Sequence, residues 1–308
     1  LLDSCRPSQL RLTFNALTDG LTGYNEWHKT ACLACMSPAL EAVSGGRARA
    51  VEKAAGRLVP ALLSAARDVA RPAAHGCGDA SAVSVALAAF EALTALTSKR
   101  SVELGNSEAG TVLVAPGLFY LGPLPDPVTA AAALSDPIRA AACQALFSAA
   151  ASAIRAALKF RRAETRRQMV LVTQSLQGML RVLGRFAIAS GRCTAESGAA
   201  ACVAACAASM RGVYAEVEAR KAIFSKYAPH LMADLLVHMV GTSGGAPLSA
   251  LPDASAALRE CGLCMLGTCG PRELQQMHAT YGSQSALGVA LAAMRTDFER
   301  RHKFEGKV

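Results

Sequence analysis

Alanine decides what this chain can become. It recurs in long runs, as in "SAVSVALAAFEALTALTS" (81–98), "DPIRAAACQALFSAAASAIRAALKF" (136–160) and "SGAAACVAACAASM" (197–210). Alanine is the best helix former and suits close helix–helix contacts, but it fills little of a deep β-sandwich core. Aromatic residues make up only 5% of the chain against 52% apolar overall. The expected fold is therefore all-α, and 308 residues suffice for a large core.

Proline and glycine punctuate the apolar runs and divide them into helices. Helices are expected over 26–43, ending at "SGG", over 47–70 with a kink or boundary at Pro60, and over 80–98. In the last of these, Val83, Leu87, Phe90, Leu93 and Leu96 recur at helical spacing. "TVLVAPGLFYLGPLPDP" interrupts the pattern, and one short extended hairpin is expected near 111–122. "SDPIRAAACQALF" reopens a helix, with Ser135 or Asp136 as cap and Pro137 in the first turn. A long helical stretch to about 190 then divides near a basic cluster. Glycines 178 and 184 can instead mark close packing. Further helices are expected over 195–228, 229–240, 254–269, 271–280 and 283–303.

This texture is that of an α-solenoid-like array of antiparallel helix pairs, with no exact repeat and no ligand fingerprint. A boundary falls near Pro127. Residues 1–126 are expected to form a helical-repeat region that continues a longer upstream solenoid, and 127–308 a second helical domain.

The net charge is +9 and the isoelectric point about 9.1, which favours acidic partners, nucleic acid foremost. The eleven cysteines are odd in number and scattered, a pattern expected of reduced thiols in an intracellular protein. No apolar run reads as long enough to span a bilayer. "MVLVTQSLQGMLRVLGRFAIA" comes nearest and is broken by Gln174, Gln177, Arg181 and Arg185. The chain opens on Leu1 without a methionine or signal peptide, as expected of the C-terminal part of a longer protein.

"CGLCMLGTCG" (261–270) is the stretch that most resembles chemistry. Its C-x2-C starts like a zinc knuckle, but Cys269 stands where the knuckle needs histidine and Leu274 where it needs cysteine. Leu258, Cys261 and Met265 instead form one apolar stripe on a helix capped by Asp253 and stopped by Gly270 and Pro271. Cys32 with Cys35, and Cys202 with Cys206, have the same helical spacing. Metal ligation is not expected. Nor is a cofactor, or a catalytic residue, because no nucleophile, base and orienter can be nominated together. His238 reads as a structural histidine.

"KFRRAETRR" carries the one candidate binding site. Lys159, Arg162, Arg166 and Arg167 share a side of a helix at 100° per residue, with Arg161 roughly opposite. Such a patch can hold RNA phosphates or acidic residues of a partner. No interleaved aromatics are read there for base stacking. "RTDFERRHKFEGKV" is a second basic element.

Four stretches in order carry a resemblance. They are "ETRRQMVLVTQSLQGMLRVL", "FSKYAPHLMADLLVHMV", "GTCGPRELQQMHA" after an apolar helix, and "DFERRHKFEGK" closing the last helix. This order resembles the C-terminal domain of the Unhealthy Ribosome Biogenesis protein two family, also called nucleolar pre-ribosomal-associated protein two, over roughly 130–308. The resemblance implies a non-enzymatic nucleolar scaffold in early maturation of the large ribosomal subunit and in pre-rRNA processing. It implies association with the pre-ribosomal particle, a sister helical-repeat factor, a DEAD-box helicase and small assembly factors. Gly288 and Ala290 depart from the bulkier residues expected in the last helix, and Phe298 stands in place of a tyrosine. The alternative function is a generic helical-repeat adaptor with no RNA role.

Overall fold

The computed structural model of the chain describes residues 6–22, 26–74, 80–105, 107–113, 127–194, 198–241, 251–282 and 285–304. The first helices are α1 (Pro7–Leu21), α2 (Glu26–Glu41), α3 (Ala48–Ala74), α4 (Ala80–Ser98) and α5 (residues 107–113). Next come α6 (Pro127–Ser135), α7 (Pro137–Phe160), α8 (Arg162–Arg167), α9 (Met169–Ser190) and α10 (Ala199–Glu218). The chain continues through α11 (Lys221–Phe224), α12 (Ala228–Val240), α13 (Pro252–Thr268), α14 (Pro271–Tyr281) and α15 (Ala286–Phe304). No strand occurs among the described residues, and the fold is all-α. The hairpin expected near 111–122 is corrected where it can be seen: residues 111–113 belong to α5, and 114–122 lie outside the described residues.

Helix starts follow local chemistry closely. Pro7, Pro252 and Pro271 each occupy the first turn, where a missing N–H costs nothing. Asp253 lies inside the first turn of α13, and Leu251, not Asp253, is its N-cap. Pro60 does not end α3, which runs through it. Pro60 is exposed, so its ring lies on the solvent side of the helix.

The packing divides into two compact units. One comprises Leu1–Leu124 and Ile138–Ser175, the other Pro125–Pro137 and Leu176–Val308. In the first unit α1 packs on α2 and α3 on α4, and then α1 packs on α3 and α2 on α4. The α1–α3 partners keep step, with Arg11 beside Arg49 and Lys53, then Asp19 paired with Arg57 at 2.5 Å. Helices two apart in the chain therefore run parallel, as stacked helix pairs require. Leu10, Phe14, Thr18 and Leu21 bury one stripe of α1, while Val51, Leu58 and Leu62 bury the facing stripe of α3. On α4 the buried set is Val85, Ala86, Ala89, Phe90, Leu93 and Leu96, whereas Val83 and Leu87 are half-buried. Alanines take the closest positions, which shifts the inner face from the bulky stripe.

In the second unit, α10 packs against α13. Cys202, Cys206, Met210 and Tyr214 on α10 and Leu258, Cys261 and Met265 on α13 are all buried. A methyl group at Gly267 would run into Glu218, so the C-terminal ends of α10 and α13 meet. Gly184 of α9 is a close-packing glycine. A Cβ there would stand 2.9 Å from Nδ1 of His238. Gly288 answers the departure in the last helix, because a side chain there would strike the carbonyl oxygen of Gly282. By length and composition α7 and α10 are apolar enough to cross a membrane, contrary to the reading of the sequence. Here they serve as packed helices, burying among others Phe147 and Ile154 of α7 and Val203 and Val213 of α10.

Candidate functional site

The basic cluster lies where α7 ends and α8 begins. Arg161 interrupts the helix at φ −117°, ψ 57°, and the chain turns there instead of continuing straight. Lys159, at the end of α7, and Arg162, Arg166 and Arg167, on α8, are exposed, so they lie on two helices rather than on one side of a single helix. Arg161 is not part of that surface. It is 5% exposed, and its guanidinium reaches the C-terminal end of α4 in the same unit.

There it donates to four backbone carbonyls. Nε reaches Thr97 O at 3.0 Å and Nη1 reaches Val102 O at 2.6 Å. Nη2 reaches Leu96 O at 3.2 Å and Lys99 O at 2.6 Å. The last carbonyls of a helix lack intrahelical donors and carry the negative end of its dipole, so one planar cation serves both needs. Burial pushes the Arg161 guanidinium below its ordinary value, and Glu164 opposes that shift. The expectation that Arg161 joins the binding surface is thus corrected: it is buried and donates to four carbonyls of the protein.

The clamp has a second effect on the surface. It ties residues 96–102 to residues 159–167, which sequence reasoning left apart. Arg100 stands 5.4 Å from the ring centre of Phe160, and Nζ of Lys159 also stands 5.4 Å from it. Phe160 is therefore an aromatic inside the cluster, missed in the sequence reading, and two cations engage its ring. Lys99 donates to the carbonyl of Glu41. The exposed basic surface accordingly joins Arg100 to Lys159, Arg162, Arg166 and Arg167. The "SKR" that closes α4 was the available signal, and it was passed over because it lies about sixty residues upstream.

A groove of about 520 Å³ opens beside this surface, between α2, α4 and α7 of the same unit. Phe90 and Ala95 line it together with Ser37, Thr94 and Ser152 and the charged Glu41, Glu91 and Lys99.

The cysteine stretch has a different character. Cys261 is 0% exposed, and burial raises its thiol well above the ordinary value, with Cys264 adding to the effect. Burial first, then the neighbouring Glu218, pushes Cys264 up to about 12. Burial and Glu273 push Cys269 to about 12. Such thiols hold their protons and are poor nucleophiles at neutral pH. Among the described residues no three His, Cys, Asp or Glu side chains converge as a metal site would require. His238 packs on Gly184, and burial pushes it below its ordinary value against the opposing pull of Asp234. Asp234 is itself held by Gln177 Nε2 at 2.5 Å.

Comparison with curated proteins and with solved structures finds no match. The model of the Urb2/Npa2 family, by contrast, matches residues 59–307, which takes in α4, the Arg161 clamp, the basic junction and the whole α10–α15 succession. That match covers well over half of the chain, and the chain belongs to the Urb2/Npa2 family.

Proposed function

We propose that this chain is a non-enzymatic scaffold that acts in the nucleolus, in early assembly of the large ribosomal subunit and in pre-rRNA processing. The Urb2/Npa2 family is one of ribosome biogenesis factors, and membership is the observation that carries the reading. The stacked helix pairs support it, since such arrays offer long surfaces rather than enclosed reaction sites. The scaffold works by position: several weak contacts held on one body raise one another's effective concentration. Its partners are the pre-ribosomal particle and, as the resemblance implies, a sister helical-repeat factor, a DEAD-box helicase and small assembly factors.

The exposed cations Arg100, Lys159, Arg162, Arg166 and Arg167 form the contact surface for pre-rRNA or for an acidic partner. Their side chains sit at the rim of one unit and can approach a phosphate backbone without entering a groove. Depletion of the protein tests the role, with large-subunit pre-rRNA intermediates and co-sedimentation with pre-ribosomes as readouts. Accumulation of early intermediates is expected. Normal processing together with absence from pre-ribosomes would overturn the reading in favour of a generic adaptor. Restoring the depleted cells with Lys159→Gln, Arg162→Gln, Arg166→Gln and Arg167→Gln combined then tests the surface itself. Reduced crosslinking to RNA or to a partner is expected.

A further inference from the structure

A second concentration of positive charge lies before residue 59, outside the stretch that the family match covers. Arg11 of α1 and Arg49 and Lys53 of α3 line one pocket of about 310 Å³, with Ser8 and Gly46 at its edge. Arg49 and Lys53 are four residues apart on α3 and so share a face, and the parallel packing of α1 on α3 brings Arg11 beside them. All three are exposed, and among the described residues no carboxylate lines the pocket.

The nearby acids are turned to other work. Asp19 of α1 pairs with Arg57 at 2.5 Å, and Glu52 of α3 accepts from the backbone N–H of Glu103 at 2.9 Å. Among the described residues no acid pairs with Arg11, Arg49 or Lys53. The first turn of α1 contains no acidic residue, so its positive helix end adds to the field. Three cations around one concavity, with no acid partner among the described residues, repel one another, and an anion relieves that repulsion.

We infer that the Arg11, Arg49 and Lys53 pocket binds a backbone phosphate of single-stranded RNA. Two guanidinium forks and one ammonium group match the oxygens of a phosphodiester, and Ser8 offers a further donor. The described residues that line the pocket include no aromatic, so it holds the backbone and leaves the bases unread. A concave site admits a phosphate that projects from a flexible strand more readily than one in the regular wall of a duplex. The choice of RNA over other phosphorylated ligands rests on the ribosome-assembly role proposed above.

The test uses the 308-residue chain and a fluorescent oligouridylate of about twelve nucleotides, with anisotropy read across a salt series. The combined variant Arg11→Gln, Arg49→Gln, Lys53→Gln is expected to bind on the order of tenfold more weakly, with a log K against log salt slope smaller by about 0.7 per phosphate lost. Unchanged affinity and slope would overturn the inference. So would failure of the unaltered chain to bind the oligonucleotide, or displacement of the oligonucleotide by an equally charged phosphoserine peptide at no higher concentration. If the combined variant melts early, Lys53→Glu alone must weaken binding, since it reverses one exposed charge. The pre-rRNA phenotype on depletion is read separately. Equal RNA binding with defective processing removes the pocket and leaves the assembly role, whereas normal processing removes the role.

Discussion

The α7–α8 junction and helix α13 both look chemical in the sequence, and they are built in opposite senses. At the junction the charged side chains face outward, with one exception that turns in to bind four carbonyls. Along α13 Cys261 faces inward, and Cys264 and Cys269 are half-buried, so burial holds all three in the protonated form. Residue spacing set out which side chains share a face along α13, but not at the junction, where the chain breaks into two helices. What differs is which face another helix covers, and that contact decides whether a reactive group meets solvent.

The sharpest break between the regions is expected at two adjacent arginines. Arg161→Ala strips a buried cation from four carbonyls and should cost about 3–5 kcal/mol in a urea unfolding curve. Arg162→Ala alters only exposed surface and should stay within about 0.5 kcal/mol. If the two cost the same, the clamp does not exist as described.

In the second unit the largest effect is expected at a glycine. Gly288→Val drives a side chain into the carbonyl of Gly282 and should cost about 1–3 kcal/mol through overpacking, read as a lowered Tm. Cys261→Ala removes one buried sulfur and should cost on the order of 1 kcal/mol, with the metal content of the purified protein unchanged. A matching loss of bound zinc would turn α13 back into a metal site.

The smallest effect is one of pH. Cys264 and Cys269 lie near 12 in the folded chain against an ordinary 9.0, so the folded state holds those protons more tightly than the unfolded state. Their contribution is fully present below about pH 9 and drains away as the pH rises toward 12. Replacing both with alanine should flatten the alkaline side of the stability profile, measured by denaturant titration at several pH values. An unchanged alkaline slope would mean that these thiols are no more buried than exposed Cys35.

Much of the fold was legible because helix ends and helix faces are local properties. Pro137 and Pro271, each read as opening a helix, begin α7 and α14, and the ends expected at 240 and 280 fall within about one residue of Val240 and Tyr281. The stripe Leu258, Cys261 and Met265 was readable because 3.6 residues per turn repeats within a few turns. Pro60 misled, since a proline on a solvent face need not stop a long helix. Of the candidate site, Lys159, Arg162, Arg166 and Arg167 are exposed, but the break at Arg161 splits them between two helices, which single-helix periodicity did not foresee. Nor did it foresee Arg100 and Phe160, because their meeting depends on a contact across about sixty residues.

The sequence by itself determined that the chain is helical, where most helices begin and end, that its charge is strongly basic, and, through ordered motifs, its family. Those properties come from side chains acting within a turn or two of backbone, or from a sum over the whole chain. Tertiary structure alone decided that Arg161 is buried while Arg162 is not, that Gly184 packs against His238, and that Arg11 stands with Arg49 and Lys53. Each of these depends on a neighbour distant in the chain, and helical periodicity cannot name that neighbour.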